Sequence, residues 1–274
     1  MQETSSHIKV AIIQFNAGAD KELNLVAIKN LLEQAVQEKP NLICLPEVFN
    51  LRASKEISLY EAEEIATGQS TKLLRDFAKQ HQVCISNGSI FEKVNGQLPF
   101  NSSILIDSAG EIVAHYKKNY LFKVKLKDKE IDESAKSQAG TDPCLARIVL
   151  NNIEIKIGLS ICYDLRFPEL YRQYAKQAAE ILLVPSSFSK KTGLAHWQAL
   201  LQARAIENQA YVIAANQWGV VDGFETYGNS MIVDPWGKVI AQAQPEQNQI
   251  LSATLDLNYL QEIRQSLPAL ADMK

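Results

Sequence analysis

The chain has 274 residues, of which 46% are hydrophobic and 22% charged, and its formal net charge is −3. This is the composition of a soluble globular protein that can bury a sizeable core. The charge argues against nucleic acid or a membrane surface as partner, since both favour a basic face. No apolar run approaches the roughly 20 residues that span a bilayer. Residues 1–9 contain no apolar signal core, so we expect a cytoplasmic protein.

Apolar periodicity divides the first half of the chain into strands and helices. It predicts a strand at 8–15 and a helix at 20–38, which Pro40 ends. It also predicts strands at 42–45, 83–90, 102–106 and 112–116, and a helix at 70–80 with Ser70 as N-cap. Residues 117–142 show no clear period, and so long a loop is typically functional or mobile.

The second half repeats this alternation of strands and helices. Strands are predicted at 148–150 and 153–161, joined by a tight turn at Asn151 and Asn152. Pro168 is tolerated in the first turn of a helix at 167–179. The remaining predictions are a helix at 193–208, strands at 181–184, 211–215, 229–233, 238–241 and 250–255, and a turn at 234–237. The pattern predicts an α/β class with two sheets, as a single domain over residues 1–274 without short repeats.

Three polar residues follow predicted strands. Glu47 follows the strand at 42–45, Lys118 the strand at 112–116, and Cys162 the strand at 153–161. Catalytic groups of α/β proteins tend to lie just past the carboxyl ends of strands. We therefore expect these three side chains to meet in one pocket.

The three residue types form a coherent set for attack on a carbonyl. A thiol attacks only as thiolate, and none of the four histidines stands in a Cys-His context. Glu47 can take the proton of Cys162. Lys118 would favour the thiolate and stabilise an oxyanion, with the backbone N–H of Tyr163 as second donor. Singly, each has an ordinary alternative: a buried cysteine, a surface or capping acid, and a solvated lysine.

The other cysteines carry no sign of a metal site. Cys44, Cys84, Cys144 and Cys162 show no CxxC spacing and no histidine at ligand spacing. We expect four free thiols in a reducing compartment. Cys44 and Cys84 lie inside apolar runs and are expected in the core.

Longer motifs around the three residues resemble the nitrilase superfamily of carbon–nitrogen hydrolases. They are Leu-Pro-Glu at 45–47, Tyr-Lys-Lys at 116–118 ahead of Leu-Phe, and Gly-Leu-Ser-Ile-Cys-Tyr-Asp-Leu-Arg-Phe-Pro-Glu-Leu at 158–170. The resemblance extends from residue 10 to 256 and includes Ala-His-Trp at 195–197, Gln-Ala-Arg-Ala-Ile-Glu-Asn at 202–208 and Asp-Pro-Trp-Gly at 234–237.

The resemblance implies a fold and a set of roles. It implies a four-layer αββα sandwich, a homodimer or higher homo-oligomer, a small-molecule amide substrate, and neither metal nor organic cofactor. It assigns the base to Glu47, the lysine to Lys118 and the nucleophile to Cys162. A second glutamate, which helps to position substrate, falls on Glu133.

Within the superfamily the motifs are most similar to deaminated-glutathione amidases, with ω-amidases as the alternative. The implied reaction converts a carboxylate-bearing amide to acid plus ammonia through a thioester. Tyr163, Arg166, Phe188 and Thr192 are the implied substrate contacts, and an arginine suits a carboxylate. The alternative for Arg166 is an ion pair with Asp164 or Glu169. A nitrilase proper fits less well, because nitrilases usually carry Cys-Trp-Glu, and a catalytically inactive binding protein is the remaining alternative.

The sequence departs from the family pattern at three positions. Tyr120 replaces a histidine after the lysine, Lys123 replaces an acid after Leu-Phe, and Asn229 replaces the histidine of Gly-His-Ser. All three lie outside the implied catalytic residues, so the reaction type is expected to hold. The first two fall in the predicted loop and bear on the choice of substrate.

Overall fold

A computed structural model describes residues 6–125 and 130–273 of the chain. Residues 126–129, inside the predicted loop, lie outside the described part. The described strands are β1 His7–Gln14, β2 Leu42–Cys44, β3 Cys84–Ser86, β4 Ile90–Glu92, β5 Phe100–Ile106, β6 Ile112–Lys117, β7 Lys123–Lys125, β8 Glu130–Asp132, β9 Cys144–Leu150, β10 Ile153–Leu159, β11 Ile181–Leu183, β12 Tyr211–Ala214, β13 Trp218–Val221, β14 Phe224–Tyr227, β15 Met231–Val233, β16 Val239–Gln242 and β17 Gln249–Asp256. The described α-helices are α1 Lys21–Ala35, α2 Lys55–Tyr60, α3 Gln69–His81, α4 Pro168–Ala175, α5 Lys190–Asn208 and α6 Leu257–Ser266.

Two large sheets organise these strands. One has the order β17-β1-β2-β3-β5-β4, with β6 also paired to β5, and the other has the order β16-β15-β12-β11-β10-β9. Each contains three parallel strands, β1-β2-β3 and β10-β11-β12. Two separate hairpins, β7-β8 and β13-β14, complete the described strands. The carboxyl ends of parallel strands lie at one edge of a sheet. Glu47 lies beyond this end of β2, and Cys162 lies beyond this end of β10.

The side chains of β1 alternate between two cores. Val10 and Ile12 face the second sheet, whereas Ala11 and Ile13 pack with α1 and α3. The core between the sheets continues through the second sheet to the buried residues of α4 and α5. The predicted four-layer αββα sandwich is therefore confirmed. Among the helices of the described ranges, none is long and apolar enough to cross a membrane.

Several predicted boundaries were wrong, each for a local reason. The strand predicted at 83–90 is two strands separated at Gly88, whose φ is +69°. A Cβ there would lie 2.0 Å from the backbone oxygen of Pro46, so the chain beside Glu47 requires glycine. Ser70 is not the N-cap of α3, because Gly68 is. Ser70 instead donates its N–H and hydroxyl to the buried carboxylate of Glu63.

The irregular segment predicted at 117–142 also contains regular structure. Its described residues hold the antiparallel strands β7 and β8 and a 3₁₀ turn at Glu133–Ala135. The tight turn predicted at Asn151 and Asn152 is confirmed, since both residues have positive φ, +50° and +63°. Helices α2 and α6 and hairpin β13-β14 were not predicted.

Candidate active site

The structure brings Glu47, Lys118, Glu133 and Cys162 to the wall of one cavity of about 440 Å³. Each is at most 7% exposed. Glu47 follows β2, Lys118 follows β6, Glu133 follows β8 and Cys162 follows β10. The convergence predicted from strand ends is thus observed, and the cavity volume lies in the range of small-molecule sites.

Lys118 holds the two glutamates together. Its Nζ donates to Glu47 Oε1 at 2.8 Å and to Glu133 Oε2 and Oε1 at 2.8 and 3.1 Å. Glu133 Oε2 also accepts the backbone N–H of Phe122 at 2.8 Å. Burying two carboxylates around one ammonium is tolerable only when their oxygens are hydrogen-bonded, as these are.

The charges of this cluster shift the pKa values of its members in opposite directions. Burial opposes the charge of Lys118, but Glu133 and Glu47 raise the pKa of its ammonium well above its usual value. Burial acts to raise the pKa of Glu133, yet Lys118 holds that pKa below its usual value. Burial and the charge of Glu47 raise the pKa of the Cys162 thiol well above its usual value, although Lys118 acts to lower it. Cys162 therefore rests as a neutral thiol that needs a base.

Glu47 is held at both ends of its carboxylate. Oε1 accepts from Lys118, and Oε2 accepts the backbone N–H of Ser187 at 2.7 Å. Its backbone oxygen accepts from Gln217 Nε2 at 3.0 Å. The next residue, Val48, has φ +48°, an uncommon value for a β-branched residue. Such strain persists only where the surroundings fix the backbone, and it is frequent at functional sites.

Cys162 sits on a sharp turn between strand and helix. Its φ is +49°, and its N–H donates to Pro185 O at 2.8 Å. The buried carboxylate of Asp164 accepts from Ile161 N at 2.8 Å, from Tyr120 N at 2.9 Å and from the Tyr116 hydroxyl at 2.8 Å. Asp164 therefore ties the turn of Cys162 to the segment that carries Lys118.

The four predicted substrate contacts, Tyr163, Arg166, Phe188 and Thr192, all line the cavity. The guanidinium of Arg166 lies 5.2 Å from the ring centre of Phe188, and its Nη1 is 3.2 Å from His196 Nδ1. Among the described residues Arg166 forms no ion pair with Asp164 or Glu169, and the carboxylate of Asp164 accepts from other donors. The guanidinium also lies 5.9 Å from the ring centre of Tyr163, so its partners in the structure are two aromatic rings and a histidine.

Three cavity features were missed from the sequence. Asn101, at the start of β5, contacts both glutamates of the site. Arg52 is 6% exposed and is a second arginine on the wall. Hairpin β13-β14 contributes Val221 and Phe224. Of these three features only the hairpin could be predicted from the sequence, because Asp-Gly at 222–223 is typical of a hairpin turn. Single residues such as Asn101 belong to no motif and do not follow the end of a strand.

The three departures from the family pattern have identifiable partners in the structure. The ring of Tyr120 stacks on Phe167 with centres 3.7 Å apart. Lys123 pairs with Asp132 at 2.6 Å. Asn229 donates to Tyr227 O at 2.8 Å and has φ +54°. Within the described ranges none of these three side chains is part of the cavity wall.

The described part of the chain contains no group of three or more His, Cys, Asp or Glu side chains placed to hold a metal ion. The cluster of Glu47, Glu133 and Cys162 is occupied instead by the ammonium of Lys118. The site can therefore offer a thiol, a carboxylate and a buried cation to a carbonyl compound.

Comparisons with known proteins agree with this chemistry. The carbon–nitrogen hydrolase family model matches residues 9–265. The chain is 41% identical to a deaminated glutathione amidase of Dictyostelium discoideum, over 95% of this chain and 91% of that protein. It is 34% identical to an omega-amidase of Mus musculus, over 97% and 94%. Its structure matches Saccharomyces cerevisiae Nit3, a member of branch 10 of the nitrilase superfamily, with TM-score 0.86, 30% identity and 96% and 94% coverage.

Proposed function

Because this chain belongs to the carbon–nitrogen hydrolase family and is a hydrolase of amides, we propose that Cys162 is its nucleophile, Glu47 its base and Lys118 its oxyanion donor. The observation that carries the proposal is the buried contact of Lys118 with Glu47 at 2.8 Å on the wall that also holds Cys162. Glu133 orients Lys118, since both of its carboxylate oxygens accept from that ammonium.

The reaction has two halves that share one acyl-enzyme. Glu47 takes the proton of Cys162 while Sγ bonds to the amide carbon, and the carbonyl electron pair moves to the oxygen. Lys118 and the N–H of Tyr163 stabilise that oxyanion. Collapse expels the nitrogen, which takes the proton from Glu47 and leaves a thioester. Glu47 then takes a proton from water, whose oxygen attacks the thioester, and collapse releases the acid and returns the proton to the thiol.

The favoured substrate is deaminated glutathione, by similarity to the Dictyostelium relative at 41% identity. Its scissile amide joins a 2-oxoglutaryl group to cysteinylglycine, so the leaving group is the dipeptide and not ammonia. The sequence expectation of ammonia as product therefore applies only to primary amides. Deaminated glutathione carries two carboxylates, and two arginines, Arg52 and Arg166, line the cavity.

The second candidate is ω-amidase activity on 2-oxoglutaramate, supported by 34% identity to the mouse omega-amidase. This primary amide has the same 2-oxoglutaryl group but ammonia as leaving group. The two substrates therefore require the same contacts with the part of the cavity that binds the acyl group, and they differ only in the leaving group. A catalytically inactive binding protein would need neither the thiol nor the base.

The test measures formation of 2-oxoglutarate, the product shared by both substrates, in wild type, Cys162→Ala and Cys84→Ala. Cys84 is a buried thiol outside the cavity wall and is the matched control. We expect turnover by wild type and Cys84→Ala, no turnover by Cys162→Ala, and a higher kcat/KM for deaminated glutathione. A higher value for 2-oxoglutaramate would support the second candidate. Full activity of Cys162→Ala would refute the nucleophile. Absence of turnover of either amide, together with failure of Cys162 to react with iodoacetamide at neutral pH, would favour the inactive protein.

We also propose that the chain forms a homo-oligomer and works in a reducing compartment such as the cytoplasm. Ile206 and Trp236 are 53% and 60% exposed, and Ile206 lies against Gly237, the residue after Trp236. Exposed apolar side chains that lie together in this way favour an interface. A nucleophilic thiol must stay reduced to act, and a reducing compartment keeps it so. Light scattering on the purified protein tests the first statement, since a monomer at micromolar concentration would refute it.

A further inference from the structure

Asn101 occupies a central place in the candidate site. It is 1% exposed and stands at the start of β5, beside the end of β6. Its backbone oxygen accepts the N–H of Lys118 at 2.9 Å. The pairing of β5 with β6 therefore brings the Asn101 amide and the Lys118 ammonium to the same pair of carboxylates.

The two N–H hydrogens of Asn101 are directed at two different glutamates. Nδ2 lies 2.9 Å from Glu47 Oε1 and 3.2 Å from Glu133 Oε1. The opposite amide orientation would direct the carbonyl oxygen at two carboxylates, so the donor assignment is fixed by charge. Asn101 and Lys118 are thus two parallel bridges between Glu47 and Glu133, one neutral and one charged.

We propose that Asn101 is a positioning residue that selects the basic oxygen of Glu47 and keeps that oxygen available through the reaction. Oε1 of Glu47 already accepts from Asn101 and Lys118, whereas Oε2 accepts, from the part of the chain that the structure describes, only the N–H of Ser187. The pair of donors leaves Oε2 with the free electron pair that can take the thiol proton of Cys162. The proposal rests on the proposed function, since it assigns a role to Glu47 as base.

The neutral bridge formed by Asn101 is important because Lys118, the charged bridge, must also bind the oxyanion. When Lys118 turns its N–H donors to the oxyanion, its bonds to Glu47 weaken, and two carboxylates face each other with less compensation. Asn101 neither gains nor loses a proton, so its bonds persist at every step. The charged or titratable groups around Glu47 are Lys118, Glu133, Cys162 and, at longer range, Arg52.

The test compares Asn101→Leu and Asn101→Asp with Ser102→Ala. Both Asn101 variants remove the two N–H donors and keep the number and branching of side-chain heavy atoms, and the aspartate adds a third acid. Ser102 is the matched control because it is buried on the same strand and donates to another carboxylate, Glu92, at 2.6 Å. Each variant is assayed for kcat, KM and the pH profile of kcat/KM. The pH dependence of Cys162 alkylation by iodoacetamide is measured as well, because it needs no substrate.

We expect Asn101→Leu to lower kcat by about 10- to 100-fold, the usual effect of losing donors to a charged group, with KM changed less than about threefold. The acid limb of both pH profiles should move up by about one pH unit, because the Asn101 donor that helps to hold the pKa of Glu133 low is lost. Asn101→Asp should lower kcat further, because the aspartate places a third carboxylate beside Glu47 and Glu133. Ser102→Ala should keep the wild-type profiles.

The proposal is overturned if either folded Asn101 variant keeps wild-type kcat and an unmoved acid limb. It is also overturned if both variants fail to fold, because Asn101 would then be a structural residue. The alkylation profile separates this result from failure of the proposed function. Even if the protein turns over neither amide, the pH dependence of Cys162 alkylation still shows whether Asn101 affects Glu47 as base.

Discussion

Lys118 and Glu47 are 71 residues apart in the chain and in contact in the fold, with Nζ 2.8 Å from Oε1. Glu133 binds the same ammonium at 2.8 Å, so one cation serves two buried carboxylates. This sharing explains why Lys118 is 1% exposed without loss of its charge. The charge that would stabilise an oxyanion is thereby held in place before substrate arrives.

Lys118→Met should abolish activity and lower the free energy of unfolding. The variant leaves Glu47 and Glu133 buried without a cation, which costs about 3–5 kcal/mol of unfolding free energy at pH 7. In wild type, Lys118 lowers the pKa of Glu133, so its contribution is present at neutral pH and lost as pH falls. Urea denaturation should therefore show a large difference at pH 7 that narrows toward pH 4. An equal difference at both pH values would contradict the pairing.

Asp164→Asn tests the carboxylate that ties the Cys162 turn to the Lys118 segment. Burial raises the pKa of Asp164 to about 6, above its ordinary value of 3.8. The folded protein thus holds this proton more tightly than the unfolded chain, and stability from this group falls as pH rises from about 4 to 6. Asparagine lacks this titration. The wild-type advantage in unfolding free energy should shrink by roughly 3 kcal/mol over that range, and a constant difference by urea denaturation would argue against the shift.

The sequence could predict those parts of the site that follow from strand ends and continuous motifs. Glu47, Lys118 and Cys162 each follow a strand, and the fold brings those ends together. Asn101 could not be found this way, because its role comes from the pairing of β5 with β6. Ser187, whose N–H binds Glu47 across 140 residues, is a similar case. Such contacts depend on register and backbone direction, which residue spacing does not encode.

Arg166→Gln should weaken binding of both candidate substrates if this side chain binds the carboxylate of their shared 2-oxoglutaryl group. Loss of a charge-assisted contact should raise KM by about 10- to 100-fold and change kcat less. Arg147→Gln is the matched control, because Arg147 pairs with Glu154 on the surface, away from the cavity wall. An effect on deaminated glutathione alone would move Arg166 to the leaving-group side, and no effect on either substrate would remove it from the binding site.

The backbone of Cys162 gives a prediction that separates strain from catalysis. At φ +49° an alanine keeps the cost of a left-handed side chain, about 1 kcal/mol, whereas glycine does not. Cys162→Gly should therefore be as inactive as Cys162→Ala but as stable or more stable in urea denaturation, even though glycine adds entropy to the unfolded chain. The same pair at Cys84, inside β3, should show the reverse order, because glycine in a strand is destabilising. If alanine were the more stable residue at both positions, the turn that presents the thiol would carry no strain, and its shape would follow from the hydrogen bonds of Asp164 alone.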